Sequence, residues 1–420
     1  MHRAAANPDP AASVVTVGVW RPAVVESARA YPPAMAVEAA RAFSFVEDVE
    51  PLARERAWPF VERSPAGRTT YGPSLGLQQG VRELLANADG WAAEHHAVRY
   101  RQRTPAGARS YLERLLCVTP LETPRTWVCE LPNALVAGPT GLVLTDHREI
   151  LLQSLLRGGV SAAKVALVGH VAALDDAPLI EGPVVSLLSF YTVTANYAHW
   201  LQDCLPRLAL LDADAPCRVL VGPDPQPFQL ECLELLGFGP DRVVRMRGPA
   251  VRVERLLLSS PSTRGTHPAP HALLEIAGRL RAACGVDARV DPGRRVYASR
   301  AGSRRVVNEE QELWPVLQRQ GFEPVRCSRL SFAEQVRLFA GLEVIVGPHG
   351  ADLHNVIFSA PDAELVELFS HRYLFLNVLR TAAFTGQRHW HLIGDTVGDD
   401  YSIRVDPARL DELLQLVLLR

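Results

Sequence analysis

The sequence predicts an α/β fold in which two units of alternating strands and helices follow a separate N-terminal segment. Short apolar stretches of strand length alternate with helical patterns from about residue 126 to 393. One of these stretches, Val344 to Gly347, leads into a glycine-bracketed histidine and a helix start. Such alternation gives parallel sheets covered by helices. With 420 residues, 48% of them hydrophobic, the chain can bury two or three cores of ordinary size.

Four parts are predicted along the chain. Residues 1–124 form an N-terminal extension with no evident chemistry, 125–284 a first α/β unit, 285–400 a second α/β unit and 401–420 a terminal helix. In the extension, helices are predicted at 75–97 and 110–116. In the first unit, strands are predicted at 165–169, 184–190, 218–222 and 255–259, and helices at 197–211, 228–236 and 268–284.

The second unit has the clearest element signals. Strands are predicted at 295–300, 321–325, 344–347 and 364–368. Asn308 is predicted to cap a helix that runs to Gln320 with a kink at Pro315, and Ser331 with Glu334 forms a capping box for the next helix. Ligands of parallel sheets bind beyond the carboxyl ends of the strands. Arg300, His349 and Glu367 are all predicted to lie there.

Composition and charge narrow the class of protein. The formal net charge is −2 with scattered basic residues, so no nucleic-acid partner is expected. The seven cysteines have no CxxC spacing, which argues against a zinc ribbon or a disulfide framework. The N-terminus lacks the apolar core of a signal peptide, and no apolar run has membrane length. These features predict a soluble, cytoplasmic protein.

The turn around His349 has the pattern of a phosphate site. Gly347 and Gly350 are expected to free the backbone for a tight turn, and the amides from His349 to Ala351 then face outward from a helix N-terminus. Such a terminus favours anions, and a nucleotide pyrophosphate fits it. The alternative interpretation is a simple strand-to-helix turn with a packed imidazole.

A second constellation lies in the first unit, within the predicted helix 197–211. His199 and Asp203 are four residues apart and would share one helix face. A carboxylate beside an imidazole raises its basicity, as a general base for a sugar hydroxyl requires. A surface salt bridge is the alternative interpretation of the same pair.

Together these motifs resemble glycosyltransferase family 61. The resemblance covers roughly residues 126–393 and rests on Asn196-Tyr-x-His-Trp-x-x-Asp-x-Leu-Pro-Arg207, Ser299-Arg300, Asn308-Glu309, Gly321-Phe-Glu323, Leu330-Ser-Phe-x-Glu-Gln335 and Gly347-Pro-His-Gly-Ala351 with Asn355. It implies a GT-B-like arrangement of two Rossmann-like units facing a cleft. It also implies a nucleotide-sugar donor, with UDP expected, on the C-terminal unit, and inverting transfer to a hydroxyl of a glycan or small molecule. No metal or further cofactor is expected.

Inverting transfer requires a base for the acceptor hydroxyl and positive groups for the leaving diphosphate, and we assign the roles on this basis. Asp203 or His199 would be the catalytic base. Arg300, the His349 imidazole and the amides around it would stabilise the leaving diphosphate. Glu367 would accept hydrogen bonds from ribose hydroxyls, with an exposed strand-end carboxylate as the alternative. The remaining donor-side residues are Gly347, Gly350, Ala351, Asn355, Gln335 and Asn308. Gln335 is expected to face the cleft, and Asn308 is expected above all to cap a helix.

Two residues depart from the family pattern, and they keep other functions open. Asp352 and His354 stand where small residues are usual, and Asp352 would repel a pyrophosphate unless it faces away or His354 neutralises it. A metal-dependent hydrolase using His349, Asp352 and His354 is one alternative. A non-catalytic sugar-nucleotide binder is the other.

Overall fold

The computed structural model describes residues 44–77, 79–88, 91, 105–138, 140–155, 174–189, 195–212, 215–261, 263–264, 267–286 and 293–419. Its strands are, in chain order, β1 Ser44–Val46, β2 Phe60–Ser64, β3 Gly67–Tyr71, β4 Leu75–Gly76, β5 Thr119–Thr123, β6 Thr126–Ala137, β7 Leu142–Leu144, β8 Glu149–Leu151, β9 Leu179–Ser186, β10 Arg218–Val221, β11 Val243–Arg245, β12 Ala250–Ser259, β13 Thr263–Arg264, β14 His267–Pro268, β15 Arg294–Ala298, β16 Glu323–Val325, β17 Leu342–Pro348, β18 Glu364–Ser370, β19 Arg388–Val397 and β20 Ser402–Arg404. The predicted strand 165–169 lies outside the described residues.

The helices cover the faces of two large sheets. The α-helices of six or more residues are Val49–Glu55, Gln79–Ala86, Pro105–Glu113, Pro227–Leu235, Pro270–Ala283, Trp314–Arg319, Phe332–Ala340, Asn377–Thr385 and Pro407–Leu418. A composite helix at 197–210 changes from an α-turn (Tyr197–His199) to a π-helix (Trp200–Cys204) and then to a 3-10 helix (Leu205–Leu210). Ala351–Phe358 is also a 3-10 helix. None of these described helices is long and apolar enough to cross a lipid bilayer.

The first sheet is mixed rather than parallel throughout. Its strand order is β1-β8-β7-β6-β12-β9-β10-β11, with β2 paired to β6. β9, β10, β11 and β12 run parallel to one another, whereas β6, β7 and β8 form an antiparallel meander whose strand β6 pairs antiparallel with β12. The strands predicted at 184–190, 218–222 and 255–259 correspond to β9, β10 and β12, although β9 begins and ends earlier and β12 begins earlier.

The second sheet is the one that positions the candidate site. Five parallel strands have the order β16-β15-β17-β18-β19, and β20 and β4 add to β19. Every residue of β18 is buried, as expected for a parallel strand covered on both faces. The second strand of this sheet in the chain, β16, lies on one side of the first, β15, and the third, β17, lies on the other side of β15. A doubly wound sheet of this order has its switch point between β15 and β17, where ligands bind.

The N-terminal segment is divided between the two sheets. β1 and β2 belong to the first sheet, whereas β4 extends the second. The apolar side chains Val81, Trp91, Leu112 and Leu115 pack against Phe369, Leu374, Leu376, Leu379 and Ile393. Within residues 44–124, the described part is therefore built into both units instead of forming a separate extension.

Two predicted helix starts are wrong. The helix predicted from Leu75 begins at Gln79, because Leu75 and Gly76 pair with β19. Asn308 caps no described helix: the 3-10 turn Glu310–Glu312 that follows has Glu309 at its N-cap position and no side-chain cap, and the Asn308 backbone N–H donates to Ile403 O at 2.7 Å. The helix after it begins at Trp314 with Pro315 in its first turn, where the missing N–H of proline is harmless. Pro315 therefore starts this helix and does not kink it.

One apolar core joins the units. Trp200, Leu201 and Leu205 of the composite helix share a buried cluster with Leu353, Val356, Ile357 and Phe358 of the 3-10 helix, and with side chains from both sheets. This cluster brings the predicted base helix directly against the predicted donor-side helix.

Candidate functional site

The site lies at the switch point of the second sheet. Arg300 follows β15 by two residues, and His349 follows β17 directly. A Cβ on Gly347 would lie 3.0 Å from Ala298 Cβ, so the glycine allows β15 and β17 to approach closely. The backbone N–H of His349 donates to Leu368 O at 2.9 Å, which extends the pairing of β17 with β18. The loops carrying Arg300 and His349 are thereby fixed side by side.

Gly350 leaves the space that the Arg300 guanidinium occupies. A Cβ at this position would overlap the Arg300 guanidinium. The backbone of Gly350 is extended, and Gly347 is not among the glycines with positive φ. Both glycines therefore leave space for their neighbours, and neither has the special turn conformation that was predicted. The 3-10 helix begins at Ala351, directly after Gly350.

Arg300 is paired with Asp352. Arg300 Nη1 donates to Asp352 Oδ2 at 3.1 Å, and its Nε donates to Arg304 O at 3.3 Å. Burial raises the pKa of Asp352, and the positive charges of Arg300 and Arg305 oppose that rise. Asp352 therefore neither turns away from the site nor pairs with His354, and Arg300 offsets only part of its predicted repulsion of an anion.

His349 lies among aromatic rings, near Arg300 of the Arg300–Asp352 ion pair. Its Nδ1 is 2.5 Å from Glu367 Oε1, and its ring stacks with Phe369 and Phe375 at centroid distances of 5.7 and 5.9 Å. Burial, with the nearby charge of Arg305 as the next cause, holds the pKa of His349 well below its ordinary value. The imidazole is therefore neutral, and among the described residues Nε2 has no hydrogen-bond partner.

Glu367 does not occupy the position predicted for a ribose contact. Its side chain is fully buried, and its second oxygen, Oε2, lies 2.7 Å from His389 Nε2. Burial raises the pKa of Glu367 well above its ordinary value, and Arg305 opposes the rise. With one histidine on each oxygen, Glu367 supports His349 from behind instead of facing a ligand.

Gln335 and Asn355 are also placed differently from the prediction. Asn355 is fully buried, donates to Gln335 Oε1 at 2.8 Å, and accepts from the Tyr197 hydroxyl at 2.6 Å. Gln335 is buried and donates to Leu330 O. The two side chains link the donor-side helices to Tyr197 across the common core, and they do not face a cleft.

Arg305 is a site residue that the sequence reading missed. Its guanidinium lies 4.6 Å from the Tyr373 ring centroid, its Nε is buried without a partner, and no described acidic side chain forms an ion pair with it. Burial lowers the pKa of Arg305, with the positive charge of Arg300 contributing. A largely buried cation without an anion, beside His349 and Asp352, is suited to bind one. The Arg304-Arg305 pair soon after Ser299-Arg300 was the available sequence signal.

The predicted pair on the composite helix forms as expected. His199 Nδ1 lies 2.5 Å from Asp203 Oδ2. The Asp203 side chain is only 8% exposed, so the pair is not a surface salt bridge. Because Nδ1 is committed to Asp203, proton exchange with a substrate would use Nε2 of His199, and Asp203 would orient the ring. His199 lies close enough to His354 for its charge to lower the pKa of His354.

His354 is a structural residue. Gln202 Nε2 donates to its Nδ1 at 2.7 Å, and the amide of Asn377 lies 3.1 Å from its Nε2. Burial lowers its pKa to about 3. With both nitrogens of His354 engaged and Asp352 held by Arg300, the predicted metal set of these residues with His349 does not converge. Over the described ranges, no group of three or more His, Cys, Asp or Glu side chains could hold a metal ion.

Comparison with known families agrees with this geometry. The family model described as glycosyltransferase 61 matches residues 197–366. The comparison with curated proteins gives no match. The matched span starts at Tyr197 on the composite helix and ends beside Glu367, and it contains Arg300, Arg305 and His349. Residues 197–366 of this chain are therefore similar to the glycosyltransferase 61 family.

Proposed function

We propose that this protein is an inverting glycosyltransferase that transfers a hexosyl or pentosyl unit from a UDP-linked sugar to a hydroxyl group of a glycan or small molecule. The proposed setting is polysaccharide biosynthesis in the cytoplasm. In this proposal the two sheets correspond to the two Rossmann-like units of a GT-B arrangement. The nucleotide sugar binds the second unit.

The observation that carries the proposal is the set of anion-binding groups at the switch point of the second sheet. Arg300, Arg305 and the start of the 3-10 helix at Ala351 lie around His349. Arg305 has no anionic partner among the described residues, and a diphosphate would provide one. Two guanidinium groups and helix-terminal amides suit a diphosphate because each offers N–H donors to phosphate oxygens.

The proposed reaction is a single displacement. The acceptor oxygen forms a bond to the anomeric carbon while the bond from that carbon to the diphosphate oxygen breaks, which inverts the configuration. The acceptor proton passes to His199 Nε2, with Asp203 stabilising the imidazolium. The negative charge that develops on the diphosphate is met by Arg300 and Arg305. No metal ion or additional cofactor is part of this proposal.

A second candidate function is favoured by one contact. Asp352 already forms an ion pair with Arg300, so a diphosphate that binds there must share the Arg300 guanidinium with this carboxylate or displace it. A protein that binds a sugar nucleotide weakly and does not transfer it is consistent with this pair. UDP binding without turnover over a broad panel of acceptors would favour this binder.

A thermal-shift screen of nucleoside diphosphates tests the donor site. A ligand at about a hundred times its dissociation constant stabilises by roughly 2.7 kcal/mol. We expect UDP to stabilise the wild-type protein, and R300Q and R305Q each to weaken binding about ten- to a hundredfold through loss of a charge-assisted hydrogen bond. R304Q is the matched control, because Arg304 is exposed and contacts Arg300 through its backbone. Absence of stabilisation by every nucleoside diphosphate, or equal weakening in R304Q, would overturn the assignment.

A further inference from the structure

A buried series of hydrogen bonds connects Ser74, in the N-terminal segment, to His349. The Ser74 hydroxyl oxygen lies 2.7 Å from His389 Nδ1 and 2.8 Å from His391 Nδ1. On its other side, His389 Nε2 lies 2.7 Å from Glu367 Oε2. Glu367 Oε1 in turn contacts His349 Nδ1. The series therefore crosses the sheet from the β4 edge, through β19 and β18, to the loop after β17.

The position of Ser74 is fixed by its surroundings. Ser74 is 1% exposed, and its backbone N–H donates to Leu115 O at 2.8 Å. The next two residues form β4 and pair with β19. Gly76 has a φ of 133°, and a Cβ there would overlap the carbonyl oxygen of His391. Only glycine permits this close approach, so the segment is shaped to bring the Ser74 hydroxyl to the two histidines.

The hydrogen-bond pattern determines the tautomers of these two histidines. His391 Nε2 is buried and has no partner in the described part of the chain. A buried N–H without an acceptor is rarer and more costly than an unused lone pair. Nδ1 of His391 therefore carries the proton and donates to Ser74 Oγ. The Ser74 hydroxyl has three acceptors within reach, His389 Nδ1 at 2.7 Å, Leu75 O at 3.3 Å and His389 O at 3.4 Å, and the shortest of these contacts is to His389 Nδ1. Donation along this contact places the proton of His389 on Nε2, where it donates to Glu367.

We infer that Ser74 is a positioning residue for the donor site: through His389 and Glu367 it holds the His349 ring with Nδ1 committed to Glu367 and Nε2 as the nitrogen available to a ligand. This inference rests on the proposed function, because it assigns the ligand at His349 to the nucleotide-sugar donor. It gives the N-terminal segment a part in the donor site, which lies in a different portion of the chain.

Removal of the hydroxyl tests the inference. S74A should weaken UDP binding about five- to twentyfold, because the apparent affinity falls in proportion to the fraction of molecules in which the His349 ring keeps its binding tautomer. S154A is the matched control, because Ser154 is also buried, accepts from the Val143 N–H and donates to Leu151 O, but lies in the 3-10 turn Leu152–Ser154 beside the first sheet. Both variants should lower the melting temperature, and only S74A should change UDP affinity. UDP affinity in S74A equal to that in S154A would overturn the role of Ser74.

Nitrogen chemical shifts of the histidine rings supply a measurement that does not depend on a ligand. In protein labelled with 15N-histidine, the His389 and His391 signals are assigned by their loss in H389Q and H391Q. We expect His389 protonated on Nε2 and His391 on Nδ1, with the His389 preference lost in S74A. A His389 ring protonated on Nδ1 in the wild-type protein would contradict the series. If no nucleoside diphosphate binds, the proposed function fails, and these shifts still decide whether the series exists.

Discussion

Replacing Asp352 with asparagine should tighten UDP binding. Asp352 lies 3.1 Å from Arg300 and is 24% exposed in its side chain, so it competes with any phosphate that approaches the same guanidinium. Two unit charges about 4 Å apart interact by about 4 kcal/mol at an effective dielectric of 20. Partial exposure and the intervening positive charge reduce the repulsion between Asp352 and phosphate to about 1.4–2.8 kcal/mol. D352N should therefore bind UDP about ten- to a hundredfold more tightly.

Isothermal titration calorimetry at low and moderate salt measures this effect. The gain in affinity should shrink as salt rises, because the repulsion is electrostatic. D411N is the control, since Asp411 also forms an ion pair with an arginine, Arg319, at 2.9 Å, and its loss changes the net charge equally. Weaker UDP binding in D352N would show that Asp352 orients Arg300 for the diphosphate instead of competing with it, and would refute the reasoning.

Three further predictions concern chemistry, metal and pH. H199A and D203N should each lower turnover about a hundredfold or more with UDP affinity nearly unchanged, and normal turnover in both would remove this pair from the mechanism. EDTA should leave transfer nearly unchanged, whereas loss of activity with recovery on adding manganese would assign a metal a role. The free energy of unfolding, measured in urea, should fall as pH drops from about 6.5 towards 4.5. Burial lowers the pKa of His354 to about 3 and that of His391 to about 4, so in this range both histidines take up protons only after unfolding. The loss should be about 1.4 kcal/mol per pH unit for each histidine, with a shallower slope in H391Q and an unchanged slope in H147Q, since the His147 side chain is exposed.

The second sheet could be predicted from sequence because its signals are local. The buried strand before His349 and the capping box at Ser331 and Glu334 depend on residues adjacent in the chain. The structure contains both, including the two reciprocal hydrogen bonds of the box. The i, i+4 spacing of His199 and Asp203 was sufficient to predict their contact, even though the backbone there is a π-helix, because the two side chains still lie on the same face.

The errors arose where distant partners decide the outcome. Leu75 continues a helical pattern, but pairing with β19 draws it into a strand. Glu367 follows the pattern of a strand-end acid, yet its neighbours across the sheet are His349 and His389, which no local rule brings together. The motif that contains Asn355 predicted a contact with the donor, but Asn355 accepts a hydrogen bond from the Tyr197 hydroxyl instead. Propensity is a weak prior in such cases because tertiary contacts override it.

The core common to both units limits how this protein could be engineered. Trp200 and Leu205 share a buried cluster with Ile357 and Phe358, so the composite helix is packed into the half built on the second sheet, the proposed donor half, although it precedes that half in the chain. A chimera that replaced only the donor half with that of a related transferase would leave these apolar side chains facing a foreign surface, at about 25 cal/mol for each Å² of mismatch. A graft intended to change the donor sugar would therefore have to carry residues 197–210, including His199 and Asp203, along with the second sheet.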